Sequence, residues 1–148
     1  MPIPDLQSNG FLPEGIYDCT IAEITNKFGQ FQSCDRRSTL NKELIDYFEE
    51  LKQANIGKYL IVNGSYVTSK DRPSDIDVLL ILKDDIDLSD NVPPYRYNAC
   101  SRKYIQNHYK LDFHFGFEND PSSIEILKYF QGVKDQPCQR KGILRLIL

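Results

Sequence analysis

The chain has 148 residues and a mass of 17.2 kDa, which predicts a single domain over residues 1–148, with a sizeable core but no room for a second one. Hydrophobic residues make up 41% and charged residues 26%, as in ordinary globular proteins. The net charge of −3 and the pI near 5.4 argue against a protein whose main role is to bind nucleic-acid backbone, because that affinity depends on Lys and Arg.

The first 19 residues are rich in proline and predict an extended arm that lies across the domain. They contain no basic segment followed by an apolar one, and no apolar run in the chain approaches the ~20 residues of a membrane-spanning helix. We therefore expect neither export nor membrane insertion. Thr20 and Glu23 have the spacing of a capping box, which predicts a short helix over about residues 21–28.

The apolar residues between Arg37 and Ala54 fall on one helical stripe and predict a helix over that range. Strands are predicted next at KYLIVNG and DIDVLLIL, and later at KLDFHFGF and KGILRLIL. Between them, VPPYRYN predicts a break in the chain, ACSRKYIQNHY has a weak helical pattern, and PSSIEILKYFQGV predicts a helix. This order of elements predicts an α+β sandwich, with helices packed on a mixed β-sheet.

Two carboxylates lie at the start of the apolar strand DIDVLLIL. Because side chains alternate across a strand, Asp75 and Asp77 lie on the same face, and a third carboxylate, Asp112, interrupts the later strand KLDFHFGF. Close carboxylates need a shared proton, solvent or a cation, and Mg²⁺ or Mn²⁺ suits oxygen ligands. Three of them could hold two metal ions about 4 Å apart for phosphoryl transfer. The alternatives are that Asp75 and Asp77 cap a turn and that Asp112 faces solvent.

A Gly-Ser pair, Gly64 and Ser65, directly follows the strand KYLIVNG. Glycine permits close backbone approach, serine offers a hydroxyl and an N–H, and a helical turn starting here would point free N–H groups at an anion. Lys70 and Arg72 follow and either neutralise a triphosphate or are solvated loop charges. Another basic segment, YRYNACSRKYIQNHYK, either stacks bases or forms a helix that covers the sheet.

Two other residue types leave less specific signals. His114 shares the predicted strand face of Asp112, either at the edge of the site or as a structural histidine. The cysteines form no CxxC pair, so neither a zinc ribbon nor a thioredoxin-type motif is expected from neighbouring positions. As reduced thiols they indicate a cytoplasmic protein. The cysteines are Cys19, Cys34, Cys100 and Cys138.

The ordered combination of a strand, Gly64–Ser65, the SDID segment and a later strand Asp112 resembles the signature of the DNA polymerase β-like nucleotidyltransferase superfamily. The resemblance implies a nucleotidyltransferase-like core. It implies that Ser65 contacts the triphosphate of an NTP and that Asp75 and Asp77 bind both metals. It also implies that Asp112 binds the catalytic metal and helps to activate an acceptor hydroxyl.

The resemblance implies a metal-dependent enzyme that transfers a nucleoside monophosphate from an NTP, with ATP expected, to a hydroxyl of a protein, RNA or small molecule. The chain also resembles minimal nucleotidyltransferases, some of which act as antitoxins that attach AMP to a partner toxin. It departs from the superfamily at Ser69, where many members have a second glycine, and in a spacer that is one residue short. A nucleotide-binding regulator without turnover, such as an antitoxin, is therefore an alternative, and a phosphohydrolase is a third.

Overall fold

The computed structural model describes residues 3–29, 35–70, 73–86, 93–133 and 136–148. Within these ranges the protein is a mixed α+β sandwich, which confirms the predicted fold class. The helices are Ile21–Ile24 (α1), Arg36–Ala54 (α2), Pro94–Ala99 (α3), Arg102–Tyr109 (α4) and Pro121–Gln131 (α5). The strands are Gly15–Cys19 (β1), Gly57–Asn63 (β2), Asp77–Leu82 (β3), Asp112–Phe117 (β4), Gly132–Val133 (β5), Gln136–Arg140 (β6) and Gly142–Ile147 (β7).

The main sheet has five strands in the order β1-β7-β2-β3-β4, and β5 and β6 form a separate hairpin. The pairs β1–β7 and β3–β4 are parallel, whereas β7–β2 and β2–β3 are antiparallel. With these directions, the end of β2 and the starts of β3, β4 and β7 lie side by side, and we call this row of strand ends the polar edge of the sheet. This edge receives residues that are far apart in the sequence.

The two faces of the sheet are buried to different extents. The larger core lies between α2 and one face, and it includes Leu44 and Leu51 of α2 with Leu60, Val78 and Leu144 of the strands. A smaller core lies under α5 on the other face and consists of Ile61, Leu79, Ile81, Phe130 and Ile143. Because side chains alternate along each strand, the same strands supply both cores.

The local predictions near the N-terminus are confirmed. Thr20 Oγ1 accepts a hydrogen bond from the Glu23 N–H at 3.1 Å, and Glu23 Oε1 accepts one from the Thr20 N–H at 2.9 Å, as in a capping box. The predicted short helix is α1 followed by a π-helical turn, Thr25–Gly29. The predicted long helix is α2, which begins at Arg36, one residue before the predicted range.

Four elements, two of them paired in one hairpin, were not predicted from the sequence. The extended arm ends in β1, which forms because β7 offers it a parallel partner. The predicted chain break contains the start of α3, where Pro94 occupies the first helical turn, a position that lacks a hydrogen-bond partner for its N–H in any case. The β5–β6 hairpin has no alternating apolar pattern; its strands pair with each other, and Arg140 of β6 lies 3.5 Å from a carboxylate oxygen of Glu14.

The basic and aromatic segment from Tyr95 to Lys110 forms α3 and α4. Tyr47 of α2 donates a hydrogen bond to the Ala99 carbonyl at 2.6 Å, and Ile105 is fully buried, so this part of the segment packs on the core. Tyr95 and Tyr97 are exposed. None of the helices in the described ranges combines the length and apolar character needed to cross a bilayer. Cys19, Cys100 and Cys138 are free thiols, and Cys34 lies outside the described residues.

Candidate active site

The polar edge of the main sheet brings the predicted carboxylates together. Asn63, the last residue of β2, is paired with Asp77, the first residue of β3, in the antiparallel register. Asp77 is paired in turn with Asp112, the first residue of β4, in the parallel register. Directly paired residues share a face of the sheet, with Cβ atoms roughly 5 Å apart. Asn63, Asp77 and Asp112 therefore form a polar row across three strands.

Asp77 is the central carboxylate of this row. Burial raises the pKa of Asp77 to about 7, and the charges of Asp75 and Asp112 and a hydrogen bond with the Asp112 side chain act in the same direction. A carboxyl group that is buried among other carboxylates and has a raised pKa is typical of catalytic and metal sites. The three carboxylates predicted from the sequence are therefore within electrostatic reach of one another.

The three carboxylates are candidate ligands for a divalent metal ion. As the side chains lie, no three His, Cys, Asp or Glu side chains among the described residues form a group that could hold a metal ion. Asp75, Asp77 and Asp112 nevertheless offer only carboxylate oxygens, the donors that Mg²⁺ and Mn²⁺ prefer. Two carboxyl groups in hydrogen-bond contact can hold either a proton or a cation between them. The residues fit such an ion by their chemistry.

The predicted Gly-Ser turn packs directly on this row. Gly64 has a φ of 98°, and a 3₁₀ turn, Ser65–Val67, follows it. A Cβ on Gly64 would lie 3.1 Å from the Asp77 backbone nitrogen and 3.2 Å from the Asp75 carbonyl oxygen. Glycine is therefore required for two reasons, the left-handed φ and the close approach to β3.

We expect Gly64→Ala to lower the free energy of unfolding by about 1–3 kcal/mol, because the new Cβ is strained in both respects. Urea unfolding followed by circular dichroism measures this change. Gly132→Ala is the matched control, since a Cβ there meets only ordinary contacts, at 3.4 Å and beyond. A Gly64→Ala protein as stable as Gly132→Ala would show that the turn does not need glycine.

A buried arginine that was not predicted from the sequence donates hydrogen bonds to the loop that follows the Gly-Ser turn. Arg37 of α2 is 0% exposed, and its guanidinium donates hydrogen bonds to main-chain carbonyls. Its acceptors in the loop are the carbonyls of Tyr66 at 2.8 Å, Thr68 at 2.7 Å and Lys70 at 2.6 Å, and Phe28 accepts a further one at 3.2 Å. One side chain thus fixes successive turns of the loop.

The segment just before β3 is fixed in a similar way. Arg36 donates hydrogen bonds to the carbonyls of Pro73, at 3.0 Å, and Ser74. Ser65 Oγ accepts a hydrogen bond from the Ser74 N–H at 3.3 Å, which joins the Gly-Ser turn to the SDID segment. The hydroxyl of Ser65 is therefore placed beside Asp75, and both residues line the same cavity.

Two lysines line this cavity, and one of them was missed from the sequence. Lys70 was predicted, whereas Lys141 was not, and Arg72 lies outside the described residues. Burial lowers the pKa of Lys141, while the charge of Asp77 opposes that change, so the ammonium lies in the field of the carboxylates. Lys141 directly precedes β7, and only the pairing of β7 with β2 brings it here.

His114 lies beside Asp112 at the other end of the row. Arg102 Nη2 lies 3.0 Å from His114 Nδ1, and because a guanidinium can only donate, Nδ1 accepts and the neutral ring carries its proton on Nε2. Nε2 lies 3.8 Å from Asp112 Oδ1. His114 therefore has a structural partner and also faces a carboxylate of the site, so both sequence interpretations describe part of its environment.

The cavity has a volume of about 1000 Å³, at the upper end of the roughly 300–1,000 Å³ of small-molecule sites. Asp75 and Asp77 line it together with Lys70 and Lys141, and Tyr129 lines it at the end of α5. Asp112 instead lines a smaller neighbouring cavity of about 490 Å³, which shares Asp75 with the first. Asp75 therefore lies where the two cavities meet.

Comparison with known proteins gives a family but no activity. Residues 4–147 match a protein family described as a family of unknown function, DUF6932. The chain belongs to this family. No curated protein and no solved structure matches it. The DUF6932 match includes every residue of the candidate site, from Gly64 to Lys141.

In this DUF6932 member, the site combines opposite charges in a way that suits a phosphate ligand. Carboxylates at the sheet edge can hold a cation, and lysines on the cavity wall can neutralise phosphate oxygens directly. Such a site can bind a polyphosphate close to a set of basic oxygens, as phosphoryl transfer requires.

Proposed function

We propose that this DUF6932 member is a metal-dependent nucleotidyltransferase. It transfers a nucleoside monophosphate from an NTP, with ATP expected, to a hydroxyl of a protein, RNA or small molecule in the cytoplasm, and pyrophosphate is released. The observation that carries the proposal is the in-register pair of Asp77 and Asp112, with Asp75 beside it and Gly64 packed on the Asp77 backbone. The resemblance to the DNA polymerase β-like superfamily supports the same activity.

Each part of the site has a role in this reaction. Asp75, Asp77 and Asp112 would hold Mg²⁺ or Mn²⁺, which when bound neutralises the α-phosphate and makes the acceptor hydroxyl more acidic. Asp112 would take up the proton of the acceptor hydroxyl. Ser65 and the lysines bind the β- and γ-phosphates. The acceptor oxygen then forms a bond to the α-phosphorus, and the bond from that phosphorus to the bridging oxygen breaks.

The direct test uses ATP labelled in either of two positions, with Mg²⁺ or Mn²⁺ and candidate protein, RNA and small-molecule acceptors. Label at the α-phosphate should appear in an adduct, whereas label at the γ-phosphate should appear in pyrophosphate. Transfer of the γ-label to an acceptor would indicate a kinase instead. Free AMP or ADP without an adduct would indicate a phosphohydrolase. Either result would overturn the proposal.

Lys141 provides a prediction about NTP affinity. We expect Lys141→Met to weaken NTP binding by about ten- to a hundredfold, because a charge-assisted contact is worth about 1.5–3 kcal/mol. Isothermal titration calorimetry in the presence of Mg²⁺ measures the change. Lys128→Met is the matched control, since Lys128 is exposed on α5 and lies outside the cavity lining. Equal affinities for the two variants would remove Lys141 from the site.

A second function, nucleotide binding without turnover by a regulator or antitoxin-like partner of a toxin, is favoured by one observation. Ser69 stands where many superfamily members have a glycine, and its N–H donates a hydrogen bond to the Gly10 carbonyl at 3.0 Å. The N-terminal arm is therefore hydrogen-bonded to the loop that would bind the nucleotide. In this case calorimetry would detect NTP binding, and no pyrophosphate would be released with any of the acceptors.

A further inference from the structure

Tyr129 stands out among the residues that line the large cavity. It lies in the last turn of α5 and is 80% exposed, although its neighbour Phe130 is fully buried in the smaller core. The α5 backbone is held here, because Asn63 Nδ2 donates a hydrogen bond to the Phe130 carbonyl at 3.0 Å. Tyr129 therefore presents a large aromatic ring from a fixed part of the backbone, close to the residue that is paired with Asp77.

Asn63 gives a second and independent sign of a ligand on this side of the cavity. Its side chain is 4% exposed, and the amide cannot be turned around, because a carbonyl at Phe130 requires the NH₂ group to face it. Oδ1 is left without a hydrogen-bond partner among the described residues. Buried acceptors are nearly always paired in folded proteins, so a donor on a bound ligand would satisfy this oxygen.

We propose that Tyr129 is the platform on which the base of the nucleotide stacks. The inference rests on the proposed function, which places the phosphates between Ser65, Lys70 and the carboxylates. The nucleoside then extends along the same cavity, toward Tyr129 and the β5–β6 hairpin. Aromatic side chains stack on any base, because every base has a π-face. In this chain the end of α5 and the hairpin hold the base.

The experiment measures the affinity of two probes in Mg²⁺ buffer by calorimetry. The probes are α,β-methylene ATP, which cannot be cleaved at the α-phosphate, and inorganic tripolyphosphate, which has no base. We expect Tyr129→Ala to weaken binding of the ATP analogue by about five- to a hundredfold, and to leave tripolyphosphate binding unchanged. Tyr129→Phe, which keeps the ring, should bind the analogue as the wild type does.

Tyr97→Ala is the matched control, since Tyr97 is also an exposed tyrosine, 60% exposed on α3, but lies outside the cavity lining. If Tyr129→Ala binds the analogue as tightly as Tyr97→Ala does, the stacking role is wrong and the proposed function stands. If Tyr129→Ala loses both probes, Tyr129 supports the site structurally and the stacking role is also wrong. If the wild type binds neither probe, the proposed function fails, and the stacking role fails with it.

Discussion

Asp77→Asn should lower the rate of nucleotidyl transfer by roughly a thousandfold or more and leave the protein folded. Asparagine keeps the size of the side chain but removes the charge that the proposed metal needs, and such ions contribute several kcal/mol to the transition state. The folded state should not suffer, because Asp77 is a partly buried carboxylate between two others. Removing its charge also removes a like-charge repulsion, so the free energy of unfolding should stay equal or rise.

Two measurements test this variant. The first is transfer of α-labelled ATP to the acceptor, with Asp85→Asn as the control, since Asp85 is an exposed aspartate in the turn after β3. The second is thermal unfolding with EDTA or with Mg²⁺, because an ion that binds only the folded state raises its stability by mass action. Mg²⁺ should raise the melting temperature of the wild type and of Asp85→Asn, but not that of Asp77→Asn. A folded Asp77→Asn protein with wild-type transfer would rule out the proposed mechanism.

Arg37→Met should lower the free energy of unfolding by about 3 kcal/mol or more, a larger loss than we expect for Gly64→Ala. The Arg37 guanidinium donates to carbonyls of Phe28 and of the loop after Ser65, and it is completely buried. Methionine fills a similar volume but donates nothing. Each buried carbonyl that loses its donor costs about 1–3 kcal/mol, and several lose it together.

Lys42→Met is the matched control, because Lys42 lies on the same helix but is exposed, and its ion pair with Asp46 is a surface i,i+4 pair. Its loss should cost less than about 1 kcal/mol. Urea unfolding of both variants gives the comparison, and Arg37→Lys should fall between them, since one ammonium replaces only some of the bonds. A cost below about 1 kcal/mol for Arg37→Met would show that the loop carbonyls find other donors.

Most of the predictions that depended on a local pattern were confirmed, although the segment VPPYRYN, predicted as a chain break, contains the start of α3. The apolar stripe of α2, the Thr20–Glu23 capping box and the apolar runs of β2, β3, β4 and β7 each depend on residues within one or two turns or along one strand. The Gly64 turn is also a local feature, because its positive φ depends on the choice of glycine at one position. Local sterics and periodicity decide these features before any tertiary contact forms.

The composition of the site was decided by strand pairing. Asp112 meets Asp77 only because β3 and β4 are parallel in this register, and a shift of one residue would turn Asp112 to the other face. Lys141 reaches the site because β7 pairs with β2. Tyr129 reaches it because its neighbour Phe130 packs α5 onto the sheet. β1 likewise needed its partner strand before its short sequence could be recognised as a strand.

The sequence by itself therefore indicated most strands of the main sheet, the long helix α2 and the glycine turn that follows β2. It also predicted Asp75 and Asp77 on one strand, but β3 begins at Asp77 and Asp75 precedes it. Tertiary structure alone decided which strands are neighbours and so brought Asp112 to Asp77, and it added the second lysine and the buried Arg37 that fixes the loop. The physical reason is that side-chain periodicity specifies which face of a strand or helix is buried, whereas partner and register depend on packing energy summed over the whole core.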